Sequence, residues 1–94
     1  MKIRRTKKEI ITDILEAIDN KINRISAIMR YVNLSSSVTK KYLKILIQNG
    51  LIEEKNGEYT LTEKGMKVLE LLREKRKLEV ELVLILNDIE KMFF

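Results

Sequence analysis

The chain has no cysteine, no histidine, no tryptophan and no proline, and only three glycines among its 94 residues. Without thiolate or imidazole there is no zinc site of the usual ligands, no cysteine nucleophile and no Ser-His-Asp relay. Only carboxylate or lysine chemistry would remain, and the acids show no paired spacing that suggests a cleft. The sequence therefore reads as non-enzymatic, with no cofactor, no metal and no small-molecule ligand. No disulfide can form, which agrees with a reducing interior. The longest uninterrupted apolar run, Leu82 to Leu86, is far too short to span a bilayer. Glu9 and Asp13 interrupt any leader-like apolar core behind the basic N-terminus. The expectation is a cytoplasmic protein with no membrane partner.

What is present is a hydrophobic content of 45% and a net charge of +5, enough for one small core with an appended helix. The charge is segregated. Residues 1–8 carry Lys2, Arg4, Arg5, Lys7 and Lys8 without an acid, and residues 9–19 carry Glu9, Asp13, Glu16 and Asp19 without a base. Residues 20–52 are again purely basic, with Lys21, Arg24, Arg30, Lys40, Lys41 and Lys44, and from residue 53 onward the chain is mixed and slightly acidic. Two acid-free blocks point to a polyanion-binding face rather than to general solubility.

Thr6 followed by Glu9 forms a capping box that opens a first helix, continued by Ile10, Ile11, Ile14, Leu15 and Ile18. Asn23 is positioned to cap a short second helix with Ile25, Ile28, Met29 and Val32 on one face. Ser35 caps a third, whose apolar face is Val38, Tyr42, Leu43, Leu46 and Ile47 and which Gly50 ends. Asn56-Gly57 predicts a two-residue hairpin between strands at 51–54 and 58–61. Thr62 caps a last helix, with neither proline nor glycine after Gly65. That helix carries a heptad: Val68, Lys75, Leu82 and Ile89 at a, and Leu71, Leu78, Ile85 and Met92 at d. Such a stripe on a projecting helix calls for a cover, most simply a second copy in a homodimer; folding back onto its own domain is the alternative. Lys75 reads as a seam residue whose ammonium reaches water. The heptad leaves parallel and antiparallel pairing open.

Helix, helix-turn-helix and hairpin is the order of a winged helix-turn-helix. The stretch "NLSSSVTKKYLKILIQNGLIEEKNGEYTLTEKG" resembles the small archaeal winged-helix proteins, with N-L-S opening the recognition helix, K-Y-L in its middle, G-L-I leading into the wing and Y-x-L-T-x-K-G starting the last helix. With "EIITDILEAI" upstream and the C-terminal heptad, nearly the whole chain resembles the dimeric archaeal 10a family of chromatin proteins. The resemblance implies duplex-DNA binding and an antiparallel pairing of the C-terminal helices. The sequence departs from that family at Ser36-Ser37, where a larger residue, often tyrosine, is common.

The expected fold is mainly α (α+β): a winged helix-turn-helix DNA-binding domain over residues 1–65 and a coiled-coil dimerisation helix over 66–94. Lys40, Lys41 and Lys44 lie on the outer face of the recognition helix, and Ser35, Ser36 and Ser37 stand at its start. Hydroxyls and first-turn amides suit phosphate oxygens, and the lysines displace counterions. Lys2, Arg4, Arg5, Lys7 and Lys8 form a basic arm; Lys7 and Lys8 sit in a first turn, where the helix dipole disfavours cations. Arg24 is placed to clamp a phosphate from the second helix. In the wing, Glu53, Glu54 and Glu58 repel phosphates, which leaves Lys55 and Asn56 at the tip. "REKRK", residues 73–77, reads as a solvated stretch. Base readout favours Arg, Asn or Gln, and the recognition face offers only Ser and Lys before Gln48. The sequence thus points to a nucleoid-associated, architectural DNA-binding protein of low specificity. The rivals are a sequence-specific regulator and a winged-helix protein-interaction module.

Overall fold

The spacing of Thr6 and Glu9 starts the first helix as expected. In the computed structural model, which describes residues 5–94, helix α1 spans Lys7–Asp19. The Thr6 hydroxyl accepts the Glu9 N–H at 3.1 Å and donates to the Glu9 carboxylate at the same distance. The helix closes in a Schellman motif: Lys21 takes a left-handed φ of 67°, and the Ile22 and Lys21 N–H groups donate to Ala17 and Ile18.

Helix α2 spans Ile25–Val32, and here the expected cap is displaced. Arg24, not Asn23, is the N-cap, and no side chain bonds the first turn. The Asn23 carbonyl instead accepts the Tyr59 N–H at 2.8 Å, and Arg24 forms an isolated antiparallel bridge with Glu58. The extended backbone before α2 has become an edge of the wing, a long-range pairing that no local pattern around residue 23 announces.

Helix α3 spans Ser36–Gln48, and the Ser35 hydroxyl accepts the Val38 N–H at 3.3 Å. Gly50, at φ 73°, ends it: the Leu51 N–H donates to Leu46 and that of Gly50 to Ile47. Strands β1 (Ile52–Lys55) and β2 (Glu58–Leu61) pair antiparallel with Lys55 opposite Glu58. Asn56 and Gly57 both have positive φ, as a type I′ turn requires. The first strand begins one residue later than its apolar run suggests. Leu51 is held elsewhere: its N–H closes α3, and its carbonyl accepts the Thr62 N–H at 3.0 Å.

Helix α4 spans Glu63–Phe93, and the Thr62 hydroxyl accepts the Gly65 N–H at 3.0 Å. The core draws Ile14, Leu15 and Ile18 from α1, Ile28 and Val32 from α2, and Tyr42, Leu43 and Leu46 from α3. Leu51, Ile52 and Tyr59 close it from the wing, and Leu69 from α4. Thr12 and Thr39 are buried with their hydroxyls donating to the carbonyls of Lys8 and Ser35, four residues back. Val68 and Leu72 also lie against the head, so the division expected at residue 65 falls inside a continuous helix whose first turns belong to the core. From Arg73 to Phe94 every residue is exposed. The helix does not fold back; at about 1.5 Å per residue it is roughly 46 Å long, and the molecule measures 58 × 33 × 20 Å.

Candidate nucleic-acid interface

The exposed face of α3 follows from its buried one. Thr39, Tyr42, Leu43 and Leu46 turn inward, so the 3.6-residue period turns Ser36, Ser37, Lys40, Lys41, Lys44 and Gln48 to solvent. Ser35 is occupied by its capping bond and by a 3.4 Å contact with the Ser37 hydroxyl. The Ser35 carbonyl accepts the Thr39 N–H. The amides of Ser36 and Ser37 have no acceptor among the described residues, as the first turn of a helix leaves them. Lys40, Lys41 and Lys44 form no ion pair among the described residues.

Most of the acidic block of the sequence is accounted for between α1 and α4. Arg73 pairs with Asp19 at 3.0 Å and approaches Glu16 at 3.8 Å; Arg76 approaches Glu16 at 3.4 Å and Asp13 at 3.8 Å. The REKRK stretch is therefore not simply solvated, because two of its arginines face α1. Lys75 pairs with Glu79 at 2.7 Å. The hydrogen bond and charge of Lys75 lower the Glu79 pKa below its ordinary value, and Arg76 and Lys8 act in the same direction. Tertiary pairing thus sets Asp13, Glu16 and Asp19 of α1 against Arg5, Arg73 and Arg76, while the lysines of α3 stay unpaired among the described residues.

The remaining candidates are dispersed. Lys2 and Arg4 lie outside the described residues. Lys7 and Lys8 are exposed in the first turn of α1. Arg5 is half-buried and bonded to Asp13 and to the end of α2. Arg24 is exposed but reaches the Glu58 carboxylate at 3.3 Å, so one wing acid is partly offset. Lys55 and Asn56 are exposed at the wing tip. The open groove between the end of α3 and the wing is lined by Glu53, Glu54 and Glu58, a surface hostile to phosphate. Beneath it, burial raises the Tyr59 pKa above its ordinary 10.0, and the charge and hydrogen bond of Glu54, its cross-strand partner, raise it further.

Two exposed side chains on the acid-free surface were given no role from the sequence, Arg30 being counted only in the basic block and Tyr31 not at all. Arg30 and Tyr31 occupy the last turn of α2, and Tyr31 is 49% exposed. Their signal was available, since both fall between the inward-facing Ile28 and Val32 in the helical period. Among the described residues no acid or His/Cys cluster could hold a metal, and no helix is long and apolar enough to cross a membrane.

The model of one family, winged helix-turn-helix, matches residues 4–80. The uncharacterized protein MJ0290 of Methanocaldococcus jannaschii is 38% identical over 72 residues, which cover 77% of this chain and 34% of that protein. The chain thus spans about a third of that relative's length. Among solved structures, Sso10a-2, a DNA-binding protein from Sulfolobus solfataricus, superposes with a TM-score of 0.79 at 24% identity, over 96% of this chain and 98% of the other. A MarR family protein from Bacillus stearothermophilus superposes with a TM-score of 0.66 at 18% identity, over 96% and 74%. At these identities the two structures show a shared fold, which in Sso10a-2 takes in both the head and the long helix.

Proposed function

The chain belongs to the winged helix-turn-helix family, and from that premise we propose that it binds duplex DNA as a homodimer, mainly through the phosphate backbone and with little sequence preference. The observation that carries this reading is the cationic face of α3, whose lysines have no ion-pair partner among the described residues. A solvated face normally mixes signs; here Lys40, Lys41 and Lys44 follow Ser36 and Ser37 with no acid on α2, on α3 or in the turn between them. In a helix-turn-helix this is the face presented to the major groove. Lys7 and Lys8, with Lys2 and Arg4 of the arm, extend the cationic surface, and Lys55 and Asn56 supply a contact at the wing tip. Arg24 remains a phosphate clamp to the extent that it releases Glu58. That Sso10a-2 is a DNA-binding protein supports the same reading.

The long helix supports dimerisation. Leu71, Leu78, Leu82, Ile85, Ile89 and Met92 form an exposed stripe on α4, and an apolar stripe of this kind marks an interaction surface. A second copy packed along residues 66–94 covers it, with Lys75 at the seam's head-proximal end; Val68, expected in the seam, packs against its own head instead. On this reading the serines and lysines contact phosphates, each such contact is indifferent to sequence, and base selectivity is low. This favours an architectural, nucleoid-associated role over a stringent repressor.

The test is affinity for two unrelated duplexes of equal length across a salt series. Equal affinities with log K falling linearly against log salt, at a slope of roughly 5 to 9 for about 6 to 10 phosphates, are expected. A preference of about 10³-fold or more for one duplex would assign a sequence-specific regulator. Failure to bind either at low salt would leave the head as a protein-interaction module.

A further inference from the structure

Arg5 belongs to the basic arm, yet its guanidinium is turned into the protein. Nη1 donates to Asp13 Oδ2 at 2.8 Å, while Nη2 donates to the Val32 carbonyl at 2.6 Å and to that of Asn33 at 3.5 Å. These carbonyls close α2, so the cation sits at the negative end of that helix's dipole. They also stand directly before the turn that delivers Ser35 and α3. The other Asp13 oxygen, Oδ1, faces Arg76 of α4 at 3.8 Å. An unbroken line of alternating charge therefore runs from the helix-turn-helix corner, through Arg5 and Asp13, to Arg76, Glu16, Arg73 and Asp19.

The two ends of α3 are tied to α4 by different means. Its C-terminal end is pinned through the backbone: Thr62 bonds the carbonyls of Leu51 and Gly50, and Lys64 Nζ donates to that of Asn49 at 2.9 Å. Helix α3, whose N-terminal end carries Ser36 and Ser37, also packs on α2, which packs on α1, and α1 packs on α4. Apolar packing between α1 and α2 is non-directional. A forked guanidinium bond to a carboxylate and a helix end is directional.

We infer that Arg5 and Asp13 are positioning residues that hold the N-terminal end of α3 at a set angle to α4, so that both heads of a dimer present the recognition helix in one orientation. The inference rests on the DNA-binding reading for its consequence and on the ion-pair line alone for its geometry. Arg5 on this account acts on DNA through α3, and its own charge meets no phosphate.

The absence of cysteine makes the test clean, because spin labels at Ser37→Cys and Glu90→Cys are unique in the chain. Labelled chains diluted with unlabelled chains report the distance from α3 to α4 within one protomer. The expected result is one narrow distance in the parent protein, broadened or shifted by Asp13→Asn and by Arg5→Ala while helix content and cooperative unfolding persist. Affinity for duplex DNA should fall roughly 3- to 30-fold in both, with the salt slope unchanged. Arg5→Lys, which keeps the charge and loses the fork, should behave like Arg5→Ala. Unchanged distances in both variants would overturn the inference, as would loss of cooperative folding in both, which would assign the contacts to stability alone. A slope smaller by about one in Arg5→Ala but not in Asp13→Asn would make Arg5 a phosphate contact instead. If the parent protein binds no duplex while the labels still broaden, the positioning stands and the DNA-binding reading falls.

Discussion

The α-carbon of Gly65 lies against the carbonyl group of Leu51. A Cβ built on Gly65 would fall 2.9 Å from the Leu51 carbonyl carbon and closer still to its oxygen. That contact seats the first turn of α4 on the segment between α3 and the wing, where the Leu51 carbonyl already accepts the Thr62 N–H.

Gly65→Ala places two effects in opposition. Alanine improves helix propensity by about 1 kcal/mol, whereas a methyl forced against backbone that cannot swing aside costs about 1–3 kcal/mol or more. The clash should win. Urea denaturation is expected to show a lower midpoint for Gly65→Ala, and an equal or higher midpoint would mean that the approach of α4 to Leu51 is looser than the structure has it.

Reversing Lys40, Lys41 and Lys44 together to glutamate should abolish duplex binding and leave oligomeric state and helix content as they were. Single alanine variants should each lower the salt slope by about one. Gel-shift titrations at several salt concentrations check both statements; binding that survives the triple reversal removes α3 as the DNA-facing helix.

The arginines of α4 provide the contrast. Arg73→Ala should leave the salt slope untouched, because its charge is matched by Asp19 and Glu16. A drop in slope comparable to that of Lys41→Ala would place α4 on the DNA as well.

Dimerisation should depend on the exposed stripe and not on the head. Leu82→Asp or Ile85→Asp removes an apolar contact and brings a charge into the seam. Sedimentation equilibrium is expected to shift these variants from dimer to monomer while the head still unfolds cooperatively. A dimer that persists in both would move the interface to another surface.

Tyr59 predicts an alkaline limit. Its pKa is raised in the folded protein, above the value near 10.0 that an unfolded chain restores. Its contribution to stability is therefore complete below about pH 10 and is lost as pH rises through the raised folded value. Tyr59→Phe should flatten the fall in stability with pH above about 10; an identical fall in both proteins would locate the alkaline sensitivity elsewhere.

Much of this fold is local and could be read locally. The caps at Thr6, Ser35 and Thr62, the end of α3 at Gly50 and the turn at Asn56-Gly57 are decided within a few residues by hydroxyls, left-handed φ values and helical period. The displaced cap of α2 was not legible, because the backbone at Asn23 answers to Tyr59, far away in the chain. Nor was Arg5: within the sequence it is one cation in a basic arm, and only the approach of α1 to the end of α2 gives it carbonyls to bond.

The sequence alone determined that one helix face would be cationic and acid-free, since charge segregation and helical period are both properties of the linear chain. Tertiary structure decided which charges remain available. Ion pairing falls off steeply with distance and separation in space is set by packing, so the antiparallel run of α4 along α1 matches Arg73 and Arg76 with Asp13, Glu16 and Asp19, and the approach of α1 to the end of α2 draws Arg5 inward. The lysines of α3, exposed to solvent, have no such partner among the described residues.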